Sequence, residues 1–444
     1  MFRMQTPRGV RFALFVVVAL ALFAASPAAA QEGIDAGDTA WMLTASALVL
    51  LMTPGLAFFY GGLVRRKNVL SILMQCFFCM ALMTVLWVVV GFSLAFAPDA
   101  FGGFAGGFDY VMLNGVGFDA WDGTAIPGQL FMIFQAMFAI ITPALMVGAF
   151  AERMKFSAIC IFCSVWLLVV YCPVAHWVWG GAEGFFGLGG DGALDFAGGT
   201  VVHINAGISA LVAALFLGKR QGHPRDMSPP HNLPFAVLGT GLLWFGWFGF
   251  NAGSAVAANA SAANAFVVTH IATAAGALAW ALIEWVRDKH PTVLGVITGA
   301  VAGLVGITPA CGSVNAAGAL GVGFGASVFG YLAVTLLKPR LGYDDSLDVF
   351  GVHGVAGIWG AIAAGLWATS AVPGNDTNGL FYGNAGQVAL QMKAVIYTIV
   401  WATVASAILL KVIDLTLGLR VTSDEERVGL DLTSHREAAY TLVD

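Results

Sequence analysis

Hydrophobic stretches without a charged residue dominate the chain after residue 38. A helix needs about 20 apolar residues to cross a bilayer, and these stretches supply that length. They lack the alternation of barrel strands, and lipid-exposed backbone must satisfy its hydrogen bonds internally, so we predict helices. The stretches lie at 39–64, 68–98, 123–151, 156–182, 196–218, 232–283, 292–337, 349–375 and 377–392, the last continuing past Lys393 to Leu410.

Two of these stretches, 232–283 and 292–337, are about twice the length of one span. Each must therefore fold back once, which brings the prediction to eleven transmembrane helices in an all-α polytopic membrane protein. The composition agrees, since 59% of the residues are hydrophobic and only 10% are charged. These proportions exclude a water-soluble domain.

The basic residues predict the orientation, because cytoplasmic connections retain Lys and Arg. Apart from Lys393 and Lys411, which we expect to snorkel from the last span, every basic residue after residue 30 falls in alternate connections or the tail. The N-terminus is therefore predicted outside and the C-terminus inside. The basic residues are Arg65, Arg66, Lys67, Arg153, Lys155, Lys219, Arg220, Arg225, Arg287, Lys289, Lys338, Arg340, Arg420, Arg427 and Arg436.

The first 30 residues have the three parts of a secretory signal: early arginines, an apolar core from Phe12 to Ala25, and the small residues 28–30. We predict cleavage after Ala30. A short first span is the alternative, but the apolar core is shorter than a span requires. The predicted units are a cleaved signal peptide at 1–30, a membrane domain at 31–417 and a cytoplasmic regulatory tail at 418–444.

The predicted outer connections carry acidic residues without compensating basic ones. Such a face attracts cations and repels anions, although positive-inside sorting alone also leaves acids outside. The net charge of -5 and the absence of a basic run with aromatic residues predict no nucleic-acid partner.

An Asp-to-His spacing recurs five spans apart. Asp195 precedes His203 at the start of the fifth span, and Asp345 precedes His353 at the start of the tenth. An odd number of spans per unit predicts an inverted repeat of spans 1–5 and 6–10, with a site near the midplane. At about 1.5 Å per residue, each histidine lies roughly 12 Å into its helix, so both reach a similar depth.

Ionisable residues at mid-span mark functional sites, because they are costly in hydrocarbon. Two neutral imidazoles can hydrogen-bond to each other and line a path or relay protons. No acidic or cysteine residue at similar depth completes a metal site, so we expect neither metal nor cofactor. Asp195 and Asp345 are interpreted first as helix caps, with a cation vestibule as the alternative role of Asp195.

Aromatic residues share helix faces on two spans. Phe134 and Phe138 are spaced i, i+4 on span three, and Trp247, Phe250 and Ser254 follow by three and four on span six. Packing or lipid contact is the ordinary role of such stripes, as interfacial anchoring is for Trp179.

Seven segments closely resemble the Amt/Mep/Rh ammonium transporter family over nearly the whole mature chain. DFAGGTVVHINAG and GWFGFNAGS are specific to its Amt branch, whose bacterial members are ammonium channels. The segments are FFYGGLVRRKNVLS at 58–71, FQAMFAIITPALMVGAFAERMKF at 134–156, AHWVWGG at 175–181, DFAGGTVVHINAG at 195–207, GWFGFNAGS at 246–254, GITPACG at 306–312 and DVFGVHGVAGI at 348–358.

The resemblance implies ammonium transport rather than an enzyme. It places an outer ammonium-binding site at Phe138, Trp179 and Ser254, where aromatic faces attract the cation. It places a hydrophobic gate at Phe134 and Phe250, followed by the paired histidines. Supporting positions are Asp195, Trp247, Tyr171 and Thr308.

The resemblance also implies a homotrimer in the cell inner membrane with one pore per subunit. The tail resembles the family's cytoplasmic region, which implies docking of a PII-type regulatory protein. Methylammonium is the expected substrate analogue. The alternatives are an ammonium sensor with little conduction, an intramembrane metalloenzyme built on His203 and His353, and passage of water or carbon dioxide. Whether the proton crosses with ammonia is left open.

Overall fold

The computed structural model describes residues 33–180, 192–225 and 229–440. The predicted signal peptide lies outside these residues. In the described part the chain forms eleven apolar helices, ten of them long enough to span a membrane and one, α8, of 15 residues. They are α1 (Ala36–Leu63), α2 (Arg66–Phe96), α3 (Gly128–Phe150), α4 (Phe156–Trp179), α5 (Gly199–Leu217), α6 (Leu233–Gly253), α7 (Ala260–Asp288), α8 (Val293–Ile307), α9 (Ala316–Leu341), α10 (Phe350–Trp367) and α11 (Gly386–Thr416).

Both long apolar stretches fold back once, as predicted. The first divides into α6 and α7, and the second into α8 and α9. An asparagine marks each division: the side chain of Asn259 accepts the N–H of Ala262, and that of Asn315 accepts the N–H of Gly318. Each asparagine thereby satisfies a donor that the first turn of the new helix leaves open.

The predicted repeat is visible in matching irregularities of the helices. Both α5 and α10 begin with a π-helical turn, at Gly199–Ile204 and Phe350–Val355. Their preceding partners in the repeat, α4 and α9, also contain one, at Leu167–Tyr171 and Ala333–Leu337. Such turns widen a helix locally and are frequent at functional sites.

The centre of the bundle is formed by α3, in which nearly every residue is buried. Helices α5 and α10 cross in close contact beside it. A Cβ atom on Gly207 would lie 2.2 Å from the backbone nitrogen of Gly354, so only glycine allows this approach. Because Gly207 and Gly354 lie within four residues of His203 and His353, the crossing brings the two histidines together.

The tail follows α11 and packs on the connections at one end of the bundle. A short helix, α12 (Ser423–Val428), begins at Thr422, whose side chain forms a capping box with Glu425. The buried Asp431 accepts the N–H of Ser71 in the first turns of α2 at 2.8 Å. The tail therefore shares one end with the basic connections that follow α1, α3 and α5.

Candidate functional site: a histidine pair beneath an aromatic column

The two repeat-related histidines are in direct contact. Their Nδ1 atoms lie 3.3 Å apart, and their ring centroids are separated by 5.4 Å with an interplanar angle of 20°. Both side chains are buried. One Nδ1 donates while the other accepts, so the Nε2 atoms remain available to other groups. Nε2 of His203 has no hydrogen-bond partner in the structure.

Asp195 fixes the helix that carries His203. Its carboxylate accepts the N–H groups of Gly198 at 2.8 Å, Gly199 at 2.5 Å and Thr200 at 2.7 Å. The Thr200 hydroxyl also donates to this carboxylate. The cap role that the sequence predicted is therefore confirmed in geometry.

Asp345 occupies the matching position before α10, and its Oδ2 accepts the N–H of Phe350 at 2.7 Å. Its second oxygen, Oδ1, is buried without a hydrogen-bond partner. Lys338 donates to the Asp345 carbonyl and to the carboxylate of Asp348, both at 2.6 Å. Burial raises the pKa of Asp345 to about 6, with the Lys338 charge opposing and the Asp348 charge reinforcing that rise.

Aromatic rings stand directly beside the histidine pair. The His203 ring is stacked on Trp247 at 5.4 Å and on Phe250 at 6.1 Å between centroids. The Trp247 indole donates to the hydroxyl of Thr308 at 2.9 Å, and this hydroxyl donates to the Leu304 carbonyl at 2.7 Å. Thr308 thereby anchors the tryptophan ring that faces His203.

Phe134, Phe138, Trp179 and Phe250 form a column of aromatic rings, and Phe138 lies at its centre. Its ring lies 4.4 Å from Phe250, 5.0 Å from Phe134 and 5.7 Å from Trp179. The structure thus joins the rings expected at the binding site to those expected at the gate. Phe138, which the resemblance places only at the binding site, also contacts both expected gate residues.

Trp179 and Ser254 lie at the open end of this column, and both are half-buried. The Trp179 indole donates to the Asp195 carbonyl at 2.9 Å and meets Phe138 edge-on at 81°. The Ser254 hydroxyl donates to the Phe250 carbonyl at 2.8 Å, which leaves its oxygen lone pairs free to accept.

Tyr171 lies in a different environment from the other predicted residues. It is fully buried in the π-helical turn of α4, with its ring 6.2 Å from Trp87 and 6.4 Å from Trp166. Its hydroxyl has no hydrogen-bond partner. Packing against two tryptophans accounts for its position.

A narrow cavity continues from the histidines. Its volume is about 10 Å³. Such a volume is close to the minimum that holds one water, and an apolar wall does not stabilise it there. The lining residues are Met52, Leu56, Phe59, Ile141, Leu145, Val202, His203, Leu243, Trp247, Phe250, Val301 and His353.

Most of this lining was missed by sequence reasoning. Aliphatic residues such as Ile141, Leu145 and Val301 have no pattern that distinguishes a pore wall from an ordinary core. Farther along, a cavity of about 580 Å³ opens among charged residues that include Arg220, Glu284 and Asp348. Within residues 33–180, 192–225 and 229–440, no cluster of three or more His, Cys, Asp or Glu could hold a metal ion.

Comparison with known proteins places these features in a family. Residues 40–440 match the model of the Ammonium Transporter Family. An ammonium transporter of Aquifex aeolicus is 51% identical over 430 residues, covering 96% of this chain and 99% of that protein. One of Bacillus subtilis is 48% identical over 405 residues, covering 91% of this chain and 98% of that protein.

Solved structures show the same fold. The crystal structure of Saccharomyces cerevisiae Mep2 superposes with a TM-score of 0.83 at 35% identity, covering 89% of each chain. A structure titled Sensor Amt Protein superposes with a TM-score of 0.82 at 27% identity, covering 89% of this chain and 98% of that chain.

Proposed function

The chain belongs to the ammonium transporter family and transports ammonium across a membrane, and from that premise we propose the route that the substrate follows. Ammonium binds at Phe138, Trp179 and Ser254. It passes the gate of Phe134 and Phe250, and ammonia then crosses along His203 and His353. No catalytic chemistry and no cofactor are part of this route.

The observation that carries the proposal is the histidine contact of 3.3 Å, buried at the foot of the aromatic column and facing a cavity of about 10 Å³. A hydrated cation does not fit such a space, and stripping water from a full charge in a low-dielectric interior is expensive. Neutral ammonia has no such penalty. The unpartnered Nε2 of His203 offers it one hydrogen-bonding position along an otherwise apolar wall.

Capture of the cation before the gate follows from the chemistry of the three outer residues. A cation over desolvated aromatic faces gains about 2 kcal/mol. The Ser254 oxygen can accept a hydrogen bond from the ion because its own hydrogen is directed to the Phe250 carbonyl. Substrate therefore loses its proton between this site and the histidines, and the proton either returns outside or follows through the imidazoles.

Orientation is proposed from the charges at the two ends of the bundle. Arg65 forms an ion pair of 2.7 Å with Glu152, and Arg220 pairs with Asp344 at 2.8 Å, at the same end as the tail. This end holds the basic connections, so we assign it to the cytoplasm of a cell inner membrane and place the N-terminus outside. The signal peptide at 1–30, the membrane domain at 31–417 and the tail at 418–444 complete this proposal.

A homotrimer is proposed because one polar residue lies on an apolar outer face. His270 is exposed on α7, eleven residues after Asn259 caps that helix, and its ring lies 5.3 Å from Trp244. The Trp244 indole N–H is buried without a partner. Ionisable side chains in spans face protein rather than lipid, so another copy of the chain covers this surface. The number of copies follows from the family resemblance.

A PII-type regulatory protein is proposed as the cytoplasmic partner of the tail. The tail is held on the basic connections by several contacts, among them Lys67 to the Glu426 carbonyl at 3.0 Å. At its far end the Tyr440 hydroxyl lies 3.0 Å from Nε2 of His231, just before α6. A protein that bound this end would meet the tail and the pore exit together.

The route is tested by methylammonium uptake into proteoliposomes with simultaneous recording of current. Trp179→Leu should raise the KM about thirtyfold, since the lost cation–π contact is worth about 2 kcal/mol. Ser254→Ala should raise the KM less, and His203→Ala should abolish flux or the exclusion of other cations. Trp285→Leu, which removes an exposed tryptophan of α7, is the control.

Each part of the proposed route has a result that would contradict it. Unchanged KM in both Trp179→Leu and Ser254→Ala contradicts the capture site. Unchanged flux and ion selectivity in His203→Ala contradict the histidine route. Binding of methylammonium without flux in the native chain would indicate a sensor. Current proportional to flux means that the proton crosses, whereas flux without current means that ammonia crosses alone.

A further inference from the structure

Gln391 on α11 uses all of its side-chain hydrogen-bonding positions, and most of its partners lie far from it in the sequence. Oε1 of Gln391 accepts the N–H of Leu194 at 2.6 Å, and its Nε2 donates to the carbonyl of the same residue at 2.8 Å. Nε2 also donates to the Ala361 carbonyl on α10 at 2.8 Å, and Oε1 accepts from Gln387 at 3.2 Å. Both amide hydrogens and both oxygen positions are used.

The residue that Gln391 holds directly precedes Asp195. The Asp195 carbonyl accepts the Trp179 indole at 2.9 Å, and the Asp195 carboxylate caps the helix of His203. Gln391 therefore fixes the backbone at the point that orients the outer tryptophan. It also ties this segment to α10, which carries His353.

Only an amide of this length makes these bonds. Gln391 is 1% exposed, so water does not replace a lost partner. A glutamate oxygen would face the carbonyls of Leu194 and Ala361, and an aliphatic side chain would leave three buried backbone groups with fewer partners. The helix does not need this glutamine for its own stability, because a span is formed as readily by apolar residues.

We propose that Gln391 is a positioning residue of the ammonium capture site, acting through Leu194 and Asp195 to hold the Trp179 ring over the substrate. The inference rests on the proposed function, because it requires that Trp179 contacts the cation. Gln391 itself does not touch the substrate. Its loss should weaken capture while the histidine contact, held separately by the Gly207 and Gly354 crossing, persists.

The test compares four forms of the full chain in proteoliposomes: native, Gln391→Met, Trp179→Leu and the double variant. Methionine matches the length of glutamine without its hydrogen bonds. Gln391→Met should raise the KM for methylammonium about fivefold, with Vmax within about twofold, from loss of roughly one buried hydrogen bond's net contribution. In the Trp179→Leu background it should raise the KM no further, because the ring it positions is gone.

Thr398→Val is the matched control. Thr398 lies on the same helix, is fully buried and has a hydroxyl without a partner, so its replacement by an isosteric apolar residue should leave KM and Vmax unchanged. If Gln391→Met does not reach the membrane, Gln387→Met replaces it. That variant removes only the bonds to Gly192 and to Gln391, and a KM raised about twofold is expected.

The outcomes separate this inference from the function beneath it. An unchanged KM in Trp179→Leu overturns the capture site itself. A raised KM in Trp179→Leu, together with an unchanged KM in the glutamine variant, overturns only the positioning role. So does an increase in the double variant equal to the product of the two single increases, because independent effects multiply.

Discussion

The two histidine-bearing helices, α5 and α10, share a sequence pattern but are capped differently at their starts. Each begins with a π-helical turn, carries its histidine eight residues after an aspartate, and crosses the other at a glycine. Asp195 uses both carboxylate oxygens on donors of α5. Asp345 leaves Oδ1 without a hydrogen-bond partner, and Lys338 donates to its backbone carbonyl.

The two helix starts are therefore held in different ways, the first by hydrogen bonds to one carboxylate and the second among charged neighbours. The Asp195 end also orients Trp179 and is tied to α11 through Gln391, so several bonds must break before α5 moves. The Asp345 end lies in a charged connection whose neighbours are ion pairs, Arg220 with Asp344 and Lys338 with Asp348. Substrate selection requires fixed geometry at the proposed capture end, whereas the opposite end faces the larger cavity.

The largest difference between the two helices is expected where they cross, in how each tolerates a larger residue in place of its glycine. A Cβ at Gly207 would lie 2.2 Å from backbone of Gly354, whereas a Cβ at Gly354 would first meet the Phe350 ring at 2.8 Å. Gly207→Ala should therefore destabilise the fold by about 3 kcal/mol or more, since backbone must shift. Gly354→Ala should cost less, about 1 kcal/mol.

Thermal unfolding in detergent and methylammonium flux measure both glycine variants. Separation of the helices would also lengthen the 3.3 Å histidine contact, so flux should fall with stability in Gly207→Ala. Gly241→Ala on α6 is the control, because a Cβ there would meet nothing within 4 Å. Equal unfolding temperatures for the two crossing variants would contradict the asymmetry.

The next-largest difference is expected when the capping aspartate of α5 or of α10 is replaced. Asp195→Ala leaves the buried N–H groups of Gly198, Gly199, Thr200 and Val201 without their acceptor and should abolish transport, at a stability cost of about 3 kcal/mol. Asp345→Ala removes the N–H bond to Phe350 together with a buried charge, so its cost should stay near 1 kcal/mol. Similar flux and unfolding temperature in the two variants would show that the cap at α10 is as essential as that at α5.

Much of the fold was predictable because the bilayer imposes strong rules on a sequence. Span length and the lack of charge gave eleven helices, and the two double stretches divided as expected. The Asp-to-His repeat gave the histidine pair, since equal spacing from a cap sets equal depth. The sequence did not show which glycine of the crossing is tighter, because that depends on the rotation of each helix about its axis.

The geometry of the candidate site was predictable where polar residues stand out in an apolar span. His203 and His353 do so. Gln387 and Gln391 do so as well, at i, i+4 on α11, and this spacing could have revealed the hydrogen bonds that hold Leu194. The central position of Phe138 could not be deduced, because helix periodicity gives the face of a ring but not the distance to rings on other helices. The same holds for the aliphatic wall of the narrow cavity.

The smallest expected effect is the pH dependence of protein stability that arises from protonation of Asp345. Burial raises its pKa from an ordinary 3.8 to about 6, so the ionised form is less favourable in the folded protein than in the unfolded chain. The resulting contribution to stability is present in full below pH 3.8 and is lost as pH rises through 6. Lowering the pH from 7 to 5 should therefore stabilise the native protein relative to Asp345→Asn by about 1 kcal/mol.

Thermal unfolding at several pH values, taken as the difference between the native chain and Asp345→Asn, measures this contribution. The groups that interact electrostatically with Asp345 include Tyr60, Arg153, Lys338, Tyr343 and Asp348, and all of them are present in both forms. Asp122→Asn removes an exposed carboxylate of equal charge and serves as the control. A difference curve that is flat between pH 5 and 7 would contradict the raised pKa of Asp345.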